Sequence, residues 1–91
     1  MINEIKEIAD HYGLVEQTCQ LVEEMAELTA AINHLRRNNS EENLRHVIEE
    51  LADVELCEQQ VVYLLKAREV VNTMAVLKIK RQLERIREEN K

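Results

Sequence analysis

Five carboxylates stand in two short groups: Glu23-Glu24-Met25-Ala26-Glu27 and, 22 residues further on, Glu50-Leu51-Ala52-Asp53. On an α-helix a three-residue step sets two side chains about 60° apart in projection and about 4.5 Å apart along the axis, so each group offers a pair of acids on one face. Such like-charged pairs destabilise a helix by a few tenths of a kcal/mol unless a cation lies between them. At three and four residues Glu24 has Gln20, Leu21, Glu27 and Leu28, while Glu27 has Glu23, Glu24, Ala30 and Ala31. Glu50 has His46, Val47, Asp53 and Val54, and Asp53 has Glu49, Glu50, Leu56 and Cys57. No lysine or arginine is among them. Glu84, flanked by Lys80, Arg81 and Arg87, shows what ordinary solvated pairing looks like in the same chain.

The balancing charge for Glu24, Glu27, Glu50 and Asp53 must therefore come from another helix, another chain or solution. Mg²⁺ is the natural candidate, with Mn²⁺ as its substitute, because a hard ion takes carboxylate oxygen, keeps several waters and bridges to substrate phosphates. The competing explanation is a solvated acidic face on an acidic protein.

The elements that would position these acids are helices. The 91 residues contain no proline, one glycine, 2% aromatic and 45% hydrophobic residues, which is an all-α composition for a single domain spanning residues 1–91. A chain this short buries only about 60–65% of its unfolded surface, which favours oligomerisation. Ile2, Ile5, Ile8 and Ala9 give residues 2 to about 11 a helical spacing, and Gly13 suits a position past a helix end where φ is positive. This first segment either packs or serves as a lid. A second helix from Leu14 to about Arg37 carries Leu14, Leu21, Met25, Leu28, Ile32 and Leu35 on one stripe. Glu24 and Glu27 border that stripe, where a neighbouring helix would meet them.

Asn38-Asn39-Ser40 breaks the pattern, and Ser40 followed by Glu41 and Glu42 predicts an N-cap. The third helix aligns Leu44, Val47, Ile48, Leu51, Val54, Val61, Val62 and Leu65, with Glu50 and Asp53 on its flank. Glu55 and Glu58 fall on the apolar stripe itself. They are expected to face a dimer seam, the metal region or a basic group on another helix, or to be turned outward by a rotation of the helix. The last break is placed near Ala67 or Arg68, and the fourth helix is expected to pack through Asn72, Val76, Ile79, Leu83 and Ile86. Lys78, Arg81 and Arg85 share another of its faces, either as phosphate ligands or as a solvated row paired with Glu84, Glu88 and Glu89.

The formal charge of −6 argues against a nucleic-acid binder, since phosphate backbones require a basic surface. Its distribution is uneven: residues 7–35 and 46–65 contain no Lys or Arg, whereas residues 78–91 hold six basic side chains against three acids. Cys19 and Cys57 are isolated and fit free thiols in a reducing cytoplasm. No apolar run is long enough to span a bilayer, and the expectation is a soluble cytoplasmic protein without a membrane partner.

The pair of motifs resembles the EExxE and ExxD signature of the MazG-like, all-α nucleoside triphosphate pyrophosphohydrolases. His11-Tyr12-Gly13, Gln17 and the stretch Lys78-Ile79-Lys80-Arg81-Gln82-Leu83-Glu84-Arg85 resemble that family's flanks, so the likeness covers nearly the whole chain. It implies a four-helix MazG-like bundle assembled as a dimer or higher oligomer. It also implies Mg²⁺ held by Glu24, Glu27, Glu50 and Asp53, with Glu23 close by as a further ligand or base, so that Glu23 and Glu24 stand nearest the chemistry. The implied reaction is attack of water on the α-phosphorus of a (deoxy)nucleoside triphosphate, giving monophosphate and pyrophosphate. Gln17, Lys78 and Arg81 are then the candidate substrate-binding residues, with Tyr12 and Arg45 behind them. The chain departs from the family at Gln20, where many members have a basic residue, and in having no tryptophan.

Two rivals remain. A non-enzymatic helical interaction module would use the same apolar stripes to self-associate. A di-iron bundle would need Glu-x-x-His pairs, and none of His11, His34 and His46 has a Glu three residues before it.

Overall fold

A computed structural model describes residues 1–91. The chain is all-helical: α1 runs Ile2–Arg37, α2 Glu41–Leu64 and α3 Arg68–Glu89. Four helical segments were expected, and all four are helical, but the first two run together as α1 with a break at Gly13. There the backbone takes φ 86°, ψ 171°. That region is open to glycine almost alone. A Cβ at this position would meet no atom within 4 Å, so the demand for glycine is one of backbone conformation rather than space.

The turn between α1 and α2 forms as its residues dictate. Ser40 is extended at φ −122°, ψ 160°, and its Oγ accepts from the Asn43 backbone N–H at 3.1 Å, satisfying one of the helix's orphan donors. Glu41 and Glu42 lie in the first turn, beside the positive end of the helix dipole. Asn43 Nδ2 also reaches back to the Asn38 carbonyl at 2.8 Å, tying the two helices at the bend.

The second turn explains why no glycine or proline marks it. Lys66 takes the left-handed conformation, φ 55°, at the end of α2. Its N–H donates to Tyr63 O and that of Ala67 to Val62 O, each at 3.0 Å. This is the bonding of a Schellman stop, with lysine in the seat that glycine usually holds.

α1 and α2 form a hairpin whose interior contains Ala9 and Ala31 from α1 and Val47, Cys57, Val61 and Val62 from α2. α3 packs against α2 alone and makes no contact with α1. The radius of gyration of 16.5 Å, against about 12 Å for a compact domain of this length, records the projecting arm. Asn72, Val76, Ile79, Leu83 and Ile86, expected to pack, are all exposed. The periodicity of α3 states that it has an apolar face; it does not state what covers that face, and nothing within a single chain does. Met25, Leu44, Ile48 and Leu51 on the hairpin are also more than two-fifths exposed.

Of the two acids on the α2 stripe, Glu58 lies 3.6 Å from Arg68 of α3, one of the basic partners anticipated for it. Glu55 is exposed and accepts from Gln59 Nε2 at 3.5 Å. No helix is long and apolar enough to cross a membrane.

Candidate metal centre

Glu24 and Glu27 on α1 converge with Glu50 on α2. One carboxylate oxygen from each lies within 4.8 Å of the others. Glu27 is exposed, Glu24 half-buried and Glu50 buried at 8% of its accessible surface. Helical phase brings this about: the acids flank the two stripes that close the hairpin, so they line one margin of its seam.

The surroundings leave the cluster short of positive charge. Gln20 Nε2 donates to Glu24 Oε1 at 2.7 Å, and His46 Nε2 stands 3.4 Å from Glu50 Oε1, an ionic contact only when the imidazole is protonated. Both neighbours lie one turn before the acid they touch. The second oxygens, Oε2 of Glu24 and of Glu50, are buried with no hydrogen-bond partner. A sealed, unpaired acceptor costs about 1–3 kcal/mol, more when charged. Two such acceptors on converging carboxylates are what a bound cation would satisfy.

The donor set fits Mg²⁺ or Mn²⁺. An octahedral ion at about 2.1 Å places neighbouring oxygens about 3 Å apart and opposite ones about 4.2 Å apart, so small side-chain rotations would bring the three acids to ligating distance. The cluster contains oxygen donors only. Cys57 is buried nearby, and its thiol is pushed above the ordinary range by burial first and then by the negative charges of Glu24 and Asp53. Cys57 is not among the three groups that converge, so the donors that meet there are carboxylates.

The remaining candidates are dispersed. Asp53, three residues beyond Glu50 and one methylene shorter, is exposed and outside the three-acid cluster. Glu23, which precedes Glu24 on α1, is exposed and also outside that cluster. Lys78 and Arg81 line a shallow groove of about 240 Å³ on α3 with Met74 and Leu77, and neither pairs with an acid of its own chain. Gln17 is buried, and its Nε2 donates to Gln60 Oε1 across the hairpin. Tyr12 is half exposed, with the His11 ring edge-on at 4.7 Å.

Gln20, His46 and Gln60 are contributors that motif spacing did not single out. The first two were legible as the residues four before Glu24 and Glu50. Gln60 carried one faint signal, a neutral amide set among the apolar residues Cys57, Val61 and Val62. Comparison of the chain with protein-family models, curated proteins and solved structures finds no match.

Proposed function

We propose that the chain is a Mg²⁺-dependent nucleoside triphosphate pyrophosphohydrolase of the MazG-like kind. The observation that supports this most directly is the convergence of Glu24, Glu27 and Glu50 from two helices with two buried oxygens left unpartnered. Glu24 and Glu50 carry these buried oxygens into the seam of the hairpin, and Glu27 stands exposed at its edge.

Glu24, Glu27 and Glu50 would hold the ion, and Asp53 would swing in from the next turn of α2. Bound there, Mg²⁺ supplies the positive charge that lets a triphosphate enter an acidic site and makes water a better nucleophile. Gln20 and His46 hold Glu24 and Glu50 in place from one turn away. Glu23, the exposed residue preceding Glu24, would accept the proton of the attacking water. Water adds to the α-phosphorus, the bond from that phosphorus to the α–β bridging oxygen breaks, and monophosphate and pyrophosphate leave.

Lys78 and Arg81 serve the phosphates in this proposal from α3 of a second copy. The uncovered apolar face of α3 and its basic charge, opposite in sign to the hairpin's, favour such an assembly and a closed helical bundle. The same uncovered face favours a second proposal, a helical self-association module without catalysis.

Incubating the protein with a panel of (d)NTPs and Mg²⁺ separates the two. Equimolar pyrophosphate and monophosphate, lost in Glu27→Gln and Glu50→Gln while helical circular dichroism persists, supports the enzyme. Orthophosphate release, no turnover, or turnover indifferent to both substitutions contradicts it.

A further inference from the structure

Residues 2–12, the part of α1 that precedes Gly13, are held down by little packing. Ala9 is their one buried side chain and Ile5 is half-buried, while Ile2, Ile8 and Tyr12 are exposed. An alanine offers the interior a single methyl group, so burial alone anchors the segment weakly. Polar contacts from α2 add the rest. The Tyr63 hydroxyl stands 3.0 Å from Asp10 Oδ1 and 2.9 Å from Oδ2, and Lys6 Nζ lies 5.6 Å from the centre of the Tyr63 ring. Lys6 and Asp10 are neighbours at i and i+4 on one face of the helix, so a single phenol grips the segment through two side chains.

The segment stops at Gly13, the residue inside α1 whose dihedrals, φ 86° and ψ 171°, are not helical. No more distant atom lies within 4 Å of where its Cβ would stand, so nothing presses on that side of the joint. A few residues at an element's end, free to absorb a large change in φ and ψ, are what a hinge requires. The segment also walls two cavities. Ile2, Ile5 and Lys6 line one of about 740 Å³ with residues of α2 and the start of α3, and Ile8 and Tyr12 line one of about 380 Å³ with residues of the α1–α2 seam.

We propose that residues 2–12 are a strap, hinged at Gly13 and latched by the Asp10–Tyr63 hydrogen bond, that opens as one unit while the hairpin from residue 18 to residue 57 stays folded. Opening lifts Ala9 from the seam and takes a wall from both cavities at once, so the latch controls access to the end of the hairpin remote from the Ser40 turn. The strap operates whether or not the proposed hydrolysis takes place.

Native-state hydrogen exchange of the full-length chain in low urea tests this. Amides of residues 5–12 are expected to share one opening equilibrium, at least about tenfold larger than that of residues 47–57, with a step in protection at Gly13. Tyr63→Phe keeps the ring and loses the hydroxyl; it is expected to raise that shared equilibrium about tenfold and to leave residues 18–37 and 44–57 unchanged. Asp10→Asn keeps an acceptor for the hydroxyl and is expected to give a smaller rise confined to the same residues. Protection that climbs gradually from Ile5 without a step would show an ordinary frayed end and overturn the proposal. So would residues 5–12 that open only together with α2, or a Tyr63→Phe effect that is absent or spread evenly along the chain.

Discussion

Glu24 on α1 and Glu50 on α2 approach across the hairpin, each with its Oε2 buried and unmet by any protein group. In the metal-free protein this arrangement is a local destabilisation. Replacing Glu50 by Gln removes one charge and places an amide N–H where it can donate to Glu24. The metal-free variant is expected to be more stable by roughly 1 kcal/mol, which for a domain of this size is about 4–8 °C in melting temperature. Thermal melts in excess chelator check this; an unchanged or lower midpoint contradicts it.

Tyr63 Oη donates to the Asp10 carboxylate, at 3.0 Å from Oδ1 and 2.9 Å from Oδ2, joining α2 to the first segment of α1. That hydrogen bond, ahead of desolvation and the carboxylate's charge, raises the phenol above its ordinary value of 10.0. Because the folded value lies above the unfolded one, the stabilisation is fully present below about pH 10 and is lost as pH rises through the folded value. The chain has two tyrosines and no tryptophan, so ultraviolet titration resolves the phenols cleanly. Asp10→Asn is expected to bring the higher midpoint back toward 10, and a titration that Asp10→Asn leaves untouched would show the bond to be absent.

The two positive-φ residues predict opposite responses. Lys66 occupies a left-handed position at a cost of about 1–2 kcal/mol, partly offset in a glycine variant by greater freedom of the unfolded chain, so Lys66→Gly is expected to stabilise by about 0.5 kcal/mol. Gly13→Ala, at φ 86° and ψ 171°, is expected to destabilise by about 1–3 kcal/mol. Urea midpoints at constant slope measure both. The same sign for the two substitutions would contradict the backbone conformation at one of these turns.

The exposed face of α3 predicts self-association. Ile79 and Leu83 are 55% and 42% exposed in the single chain, and covering such groups contributes about 25 cal/mol per Å² of apolar surface. Sedimentation of the unmodified protein is expected to give a dimer or larger species, weakened at least about tenfold by combining Ile79→Glu with Leu83→Glu. A monomer for the unmodified chain at high micromolar concentration removes the role given to α3 of a second copy.

How much of this was legible beforehand follows from what local sequence encodes. Ser40 with Glu41 and Glu42 announced the start of α2, and Gly13 announced a positive φ, because caps and left-handed positions are chosen by residues within a turn of themselves. The break after α2 was expected near Ala67 or Arg68; α2 ends at Leu64 and α3 opens at Arg68, and Lys66 disguised the stop by sitting where glycine is usual. The convergence of Glu24, Glu27 and Glu50 followed from helical phase. Asp53 was expected with them, but spacing alone carries no information on reach. The environment of α3 was not legible, since an apolar stripe names no partner. Nor was the Gln17–Gln60 bond, because two polar residues 43 positions apart have no periodic signal linking them.

Mn²⁺ titration followed by electron paramagnetic resonance, on the unmodified chain and on Glu50→Gln with no nucleotide present, bears most directly on the central claim. The acids predict saturable binding that Mg²⁺ displaces and that Glu50→Gln weakens by at least about tenfold. Binding of equal strength in both proteins, or none in either, would contradict a divalent-ion site between α1 and α2.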